Sequence, residues 1–238
     1  ASDVYKRQFL IFTMCFYITT PVFSEETTYV WSPNNNSLND STNDNSSQVK
    51  ETNSEVDESN SLSLESGSAI LIEQTTGQVL YSHNAHEQLR PASVTKVMSI
   101  LLIMEALDSN KISLTDSVPC SENAASMGGS QIWLDPRETL TVDEMLKAIC
   151  VNSANDCVVA MSEFIAGSEE AFVQLMNDKA KELGMNDTCF KNCHGLDEDG
   201  HVTSAYDISL MSRELLNNHP SVTNYTTIWT DTLRNRKI

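Results

Sequence analysis

Residues 93–107 read SVTKVMSILLIMEAL, and after Lys96 only Ser99 and Glu105 in that run are polar. A helix with one apolar stripe can lie on a surface, whereas a helix that is apolar nearly all round must be enclosed on every side. The chain is therefore constrained to pack a core around one helix that starts near Ser93. Met98 and Met104 read as filler of that core. Partners for it lie downstream. Thr141-x-x-Glu144 is a capping box that opens a helix running to about Val151. A further helix is predicted from Asp156 to Ala166, ended by Gly167, and an amphipathic one from Ser168 to Leu183, ended by Gly184. Asp197–Gly200 is a turn-rich loop, and Ser204-x-x-Asp207 caps a last helix to about Asn217. Upstream, SAILIE at 68–73, the punctuation Thr76-Gly77 and the alternating QVLYS at 78–82 read as a β-hairpin. One early hairpin followed by helices argues for an α+β architecture.

The residues before the hairpin cannot join that core. Ser32 to Ser63 is dominated by Ser and Asn with scattered acids, too polar to offset its ordering entropy, so 25–66 reads as a disordered tether. Phe9–Thr20 is apolar but shorter than the ~20 residues a bilayer span needs. It has the dimensions of a signal-peptide core, with cleavage expected after Ser24, and a buried N-terminal strand is the alternative. The first eight residues, ASDVYKRQ, look like an adapter translation, so 1–24 is taken as adapter-like residues plus signal peptide, and export is expected. The folded part is then 67–238, roughly 170 residues and one domain by size.

Charge and cysteine usage narrow the classes. With 33 Asp+Glu against 15 Lys+Arg the net charge is −18, which excludes a basic footprint for nucleic acid and charge-driven docking on anionic lipid. Cys15 lies within the apolar run, where Thr13-Met14 is a poor lipoprotein box. Removing the leader leaves Cys120, Cys150, Cys157, Cys189 and Cys193, an odd number that gives no complete disulfide framework. Cys150 and Cys157 flank one loop and are read either as a pair or as buried free thiols. Cys189, Cys193, His194 and His201 fit no common zinc spacing, and neither metal nor cofactor is expected.

The central helix carries an anomaly. Lys96 lies in its first turn, where the helix dipole and the apolar surroundings both disfavour a cation. Ser93, three residues earlier, shares its face. A Lys of lowered pKa beside a Ser hydroxyl suits a serine nucleophile with a lysine base; a Ser N-cap with a snorkelling Lys is the bland reading. Ser-x-x-Lys alone is weak, because Ser47-Gln48-Val49-Lys50 in the tether matches it too. Ser-x-Asn is weaker still, occurring at Ser32, Ser37, Ser41, Ser82, Ser121 and Ser153. Ser153-Ala154-Asn155 stands out because it falls between two predicted helices.

The surrounding text is more specific. Arg90-Pro-Ala-Ser-Val-Thr-Lys96, then GGSQIWLDPRETLTVDEMLKAICVNSANDCVVAMSEFIAGS at 128–168, then KELGMNDTCFKNCHGLDEDGHVTSAYDISLMSREL at 181–215 follow in order. Together they resemble the D-alanyl-D-alanine carboxypeptidases, the low-molecular-mass penicillin-binding proteins, from about Ser68 to Pro220. The resemblance implies an α+β fold of the penicillin-binding, serine β-lactamase-like transpeptidase type. It implies that Ser93 is acylated, Lys96 accepts its proton, Ser153 relays a proton to the leaving amine, and Asn155 binds substrate. The implied substrate is a peptidoglycan stem peptide ending in D-Ala-D-Ala, with β-lactams as covalent inhibitors, no cofactor and an extracytoplasmic location.

One departure is large. The family's third motif, Lys-Thr-Gly or a close variant, is absent: no Lys or His here is followed by Thr-Gly. The chain ends at Asn235-Arg236-Lys237-Ile238, so it is read as truncated before that motif and as inactive on its own. The family's C-terminal β-rich domain, and membrane association through its tail, are missing with it. His194 sits in a His-Gly-Leu-Asp string that the family shares, and is read as a structural residue or as part of the cleft rim. Asp135, Arg137 and Glu138 read as a solvated turn. Two rivals stand. A serine β-lactamase would usually carry Asp where this chain has Ala154, and Glu214-Leu-Leu-Asn217 matches its deacylation motif only superficially, within a helical pattern. A non-catalytic, wall-associated module with the same fold is the other.

Overall fold

The centre of the fold is helix α1, Lys96–Asp108, preceded by a 3-10 turn over Ala92–Thr95. Ten of its 13 residues are buried, and Met98, Leu101 and Ile103 have no exposed surface. The computed structural model describes residues 64–234 and 236–238. The leader, nearly all of the tether and the Ser47–Lys50 match lie outside them. After α1 come α2 (Glu122–Ala125), α3 (Val142–Asn152), α4 (Asn155–Ala166), α5 (Glu169–Glu182), α6 (Ala205–Asn218) and α7 (Thr223–Thr226). Helix α1 packs against α4, α5 and α6. Helix α4 is nearly as enclosed as α1: all eight residues from Asn155 to Ser162 are buried. Two adjacent buried helices thus form the heart of the core. Among the described residues, no helix is long and apolar enough to cross a membrane.

The helix ends follow local chemistry. The Thr141 hydroxyl accepts from the Glu144 amide at 3.2 Å while the Glu144 carboxylate accepts from the Thr141 amide at 2.8 Å, a closed capping box. Gly167 ends α4 in the left-handed conformation, and the Ser204 hydroxyl caps α6 by accepting from Asp207. Thr141→Ala is expected to lower stability by about 1 kcal/mol, because the Glu144 amide loses its acceptor and the Glu144 carboxylate loses the hydroxyl that donates to it. Urea unfolding checks this, and an unchanged midpoint would show the box to be idle.

The strands form three two-stranded antiparallel ribbons: β1 (Ala69–Ile72) with β2 (Val79–His83), β3 (Ser117–Pro119) with β4 (Thr139–Thr141), and β5 (Thr232–Leu233) with β6 (Arg236–Lys237). The first hairpin falls where expected, with a register shift between Leu71 and Ile72. A lone hairpin is marginal in water, and this one is fastened by α6. The Arg213 guanidinium donates to the Gln74 and Thr75 carbonyls at 2.8 and 2.7 Å, and the Asn217 amide donates to Gln74 at 3.1 Å. The other two ribbons add to the single hairpin expected from sequence. Their strands are two or three residues long, and β3 and β4 are joined across an excursion of about twenty residues, so neither alternation nor a tight turn marks them. The α+β class holds, with helices predominating.

The five cysteines of the folded part are free thiols, so the Cys150–Cys157 pairing is not formed. Asp135 and Arg137 do form an exposed turn, paired at 2.9 Å. Glu138 departs from that reading: it is half-buried and paired with Arg234 at 2.6 Å.

Candidate functional site

Two elements create the site's focus. The 3-10 turn sets Ser93 one turn before Lys96, and the Lys96 ammonium donates to the Ser93 hydroxyl at 3.3 Å. Ala92, immediately before the serine, holds φ 48°, a conformation that costs a non-glycine residue energy and must be held by its surroundings. Lys96 is only 3% exposed. Burial lowers its pKa from the ordinary 10.5 to about 8, with a smaller opposing pull from Cys193. A hydroxyl beside an amine that loses its proton this readily has the arrangement that a nucleophile and its base require.

The ammonium has a second, shorter bond, to the His194 carbonyl at 2.7 Å. That carbonyl belongs to the loop between α5 and α6, which embraces the serine turn at several points. The Ser99 hydroxyl donates to the Cys193 carbonyl at 2.7 Å. His201 accepts from the Lys191 amide on Nδ1, which leaves the proton on Nε2 to donate to the Thr95 hydroxyl at 2.8 Å. Burial lowers the pKa of His201, in keeping with a neutral ring. Gly195 holds φ 92°, and a Cβ there would lie 1.9 Å from the Ala92 carbonyl oxygen. The Asn192 side chain ties the loop to itself, accepting from the Gly195 amide at 2.7 Å and donating to the Leu196 carbonyl at 3.0 Å.

His194 is buried, and its Nδ1 accepts from the Leu196 amide at 3.1 Å. Burial lowers its pKa and Glu169, 3.5 Å away, opposes this. Its ring therefore serves the loop, and its carbonyl serves Lys96. Beyond the His-Gly-Leu-Asp string, the sequence carries little sign of this embrace. The one available signal was Gly195, since the acceptors are backbone carbonyls and any residue carries one.

Ser153 ends α3 in the left-handed conformation, φ 56° and ψ 36°, and is half-buried. Asn155 opens α4 and is 3% exposed. Its side-chain nitrogen donates to the Gly128 carbonyl and its backbone amide to Ser130, each at 2.7 Å, while its Oδ1 is buried with no partner. A buried acceptor without a protein partner is uncommon. Next to it, the fully buried Asp156 carboxylate accepts from the Ile132 and Leu134 amides at 3.1 and 3.0 Å, strapping the 128–134 loop to α4. The structure thus brings Ser93 and Lys96 into contact. Among the described residues, no hydrogen bond joins Ser153 or Asn155 to either.

The alternative cluster of Cys189, Cys193, His194 and His201 is not assembled. The ring nitrogens of both histidines are directed to the partners given above, and the Cys193 thiol donates to Glu169 at 3.3 Å. No group of three or more potential metal ligands converges among the described residues.

A family model described as D-alanyl-D-alanine carboxypeptidase matches residues 51–238. The chain is 58% identical over 173 residues to the D-alanyl-D-alanine carboxypeptidase DacF of Bacillus subtilis, covering 73% of this chain and 44% of that protein. Among solved structures it is similar to penicillin-binding protein 6B of Escherichia coli, with TM-score 0.69 and 33% identity over 72% of this chain and 56% of that one. It is also similar to penicillin-binding protein D2 of Listeria monocytogenes in its ampicillin-bound form, with TM-score 0.66 and 29% identity over 75% of this chain and 72% of that one. The chain spans less than half the length of the curated relatives it matches, 44% of the Bacillus protein and 41% of the E. coli enzyme DacC.

Proposed function

The chain belongs to the D-alanyl-D-alanine carboxypeptidase family, and on that premise we propose that the full-length protein is a serine-type carboxypeptidase that removes the terminal D-Ala from peptidoglycan stem peptides. The observation that carries the reading is the contact between Ser93 and a buried Lys96 whose pKa lies near 8.

The steps follow from the residue types. The Ser93 Oγ attacks the carbonyl between the two D-Ala residues while neutral Lys96 takes the hydroxyl proton. The Ser93 amide, in the opening turn of a helix where amides lack intrahelical acceptors, serves as one oxyanion donor. Collapse of the tetrahedral intermediate breaks the C–N bond, and the departing amine of D-Ala takes a proton relayed through Ser153. Water then hydrolyses the Ser93 ester and frees the serine. The open Oδ1 of Asn155 is suited to accept from Lys96 or from a substrate amide. The protein acts outside the cytoplasm, in the cell envelope, as an exported enzyme; β-lactams acylate the same serine.

The test is intact-protein mass spectrometry of the full-length protein after benzylpenicillin, with peptide mapping and assay of free D-Ala from a stem pentapeptide. One persistent adduct on the peptide containing Ser93, with D-Ala release, is expected. A folded protein that takes no adduct overturns the reading in favour of a non-catalytic module. Rapid loss of the adduct with accumulation of hydrolysed drug overturns it in favour of a β-lactamase.

A further inference from the structure

The His194 carbonyl that receives the Lys96 ammonium is itself held in place, and the holding residue is not part of the serine–lysine pair. Glu169 is the first residue of α5, capped by Ser168, and its side chain turns inward, 17% exposed. One oxygen, Oε1, accepts from the Cys193 amide at 3.2 Å and from the Cys193 thiol at 3.3 Å, and stands 3.5 Å from the His194 Nε2. On the other side of the same residue, the Cys193 carbonyl accepts from Ser99 on α1 at 2.7 Å. The Cys193 residue is therefore gripped at its amide by α5 and at its carbonyl by α1. The next carbonyl along the chain, that of His194, has its position set by this grip, and it carries the shorter of the two Lys96 bonds.

We propose that Glu169 is a positioning residue for acylation, acting through the Cys193 amide to fix the His194 carbonyl that holds Lys96 against Ser93. The inference rests on the carboxypeptidase reading above and deepens it. A carboxylate suits the role because a charge-assisted bond to an amide is stronger than a neutral one, and a base must be held within a fraction of an ångström to be efficient. The groups facing Lys96 are the Ser93 hydroxyl, the Cys193 thiol and the His194 carbonyl and ring; the ring in turn faces Glu169 and Glu198.

The test uses the full-length protein and the rate of acylation by a fluorescent penicillin across pH, with thermal melting of each variant. Glu169→Ala is expected to slow acylation about 10- to 100-fold. It is also expected to move the acid limb of the pH profile upward, because a loosened Lys96 regains solvent and returns toward its ordinary pKa. Glu169→Gln, which keeps an acceptor for the Cys193 amide, is expected to restore most of the rate and the position of the limb. A residue that mattered only for folding would change the melting temperature and leave the limb of the folded fraction where it was. A folded Glu169→Ala protein with the parent's rate and limb overturns the inference. If that variant does not fold, Glu169→Asp, one methylene short of the amide, decides: slowed acylation with a raised limb supports the inference, and parent-like behaviour overturns it. A parent that takes no penicillin brings down the carboxypeptidase reading and this inference with it, whereas a normally acylated parent beside an equally fast variant brings down the inference alone.

Discussion

Replacing Lys96 with methionine is expected to slow acylation of Ser93 by about 10²- to 10⁴-fold, the usual worth of a positioned general base, while leaving the protein at least as hard to unfold at pH 7. The two halves of this expectation have one cause. Burial holds the Lys96 pKa near 8 against an ordinary 10.5, so the neutral form that the proposed proton transfer requires becomes abundant as pH rises through about 8, and the parent's acylation rate should climb over that range. The stability sign follows from proton counting. Between about 8 and 10.5 the unfolded chain keeps a proton that the folded chain has released, so stability rises with pH through that window, and below it the full cost of the buried cation is borne. Methionine fills a similar volume with no charge and removes that cost. Stopped-flow acylation and thermal melting from pH 6 to 10 check both halves. A variant that acylates at the parent's rate would show that Lys96 is not the base.

Gly195→Ala is expected to be the most damaging single-methyl change in the described structure. The new Cβ would meet the Ala92 carbonyl oxygen at 1.9 Å and the Thr95 hydroxyl at 3.0 Å, and the backbone there holds φ 92°. The partner atoms at closest approach are backbone, which cannot swing aside as a side-chain end can. Left-handed strain and overpacking together should cost about 2–6 kcal/mol, a large share of the ~5–15 kcal/mol that holds a domain together. Whatever folds must open the contact between the 192–201 loop and the serine turn, so acylation should fall in the surviving fraction as well. Urea unfolding with parallel penicillin labelling measures both losses. A variant with the parent's unfolding midpoint would mean that the loop yields more easily than its packing implies.

How much of this was legible in the sequence depended on how local the cause was. The ends of α3, α4, α5 and α6 are set by residues within one turn, such as Thr141 with Glu144 and Ser204 with Asp207, and fell close to expectation. Lys96 could be singled out because it is a charge where apolar periodicity forbids one. The 3-10 turn ahead of it was not legible, since Ala92–Thr95 is compatible with either helix type and the loop packed on it at Gly195 is remote in sequence. Strands β3 and β4 pair across distant sequence, and nothing in three residues of either announces the other. The resemblance pointed to Asn155, but not to its bond with Gly128 or to its open oxygen, because the geometry of the 128–134 loop decides both. Nothing in the sequence distinguishes Glu169 from Glu170, the other acidic residue of the first turn of α5. The inward turn of Glu169 depends on where the backbone of Cys193 comes to rest.

The spacing of the contacts around Ser93 also bears on when the site comes into being during synthesis. Serine and lysine are three residues apart and meet as soon as one turn of helix forms, an event of microseconds or less. The contacts that support them close spans of 94, 98 and 106 residues, from Ser99 to Cys193, from Lys96 to His194 and from Thr95 to His201. Closing loops of that span is slow beside helix growth, and it cannot begin until the distal residues have been made. A growing chain that has not yet reached the 192–201 loop carries Ser93 and Lys96 side by side but without the acceptor that orients the ammonium or the packing that lowers its pKa. Ribosome-bound chains released at increasing lengths should therefore remain unlabelled by penicillin well after the serine helix has emerged.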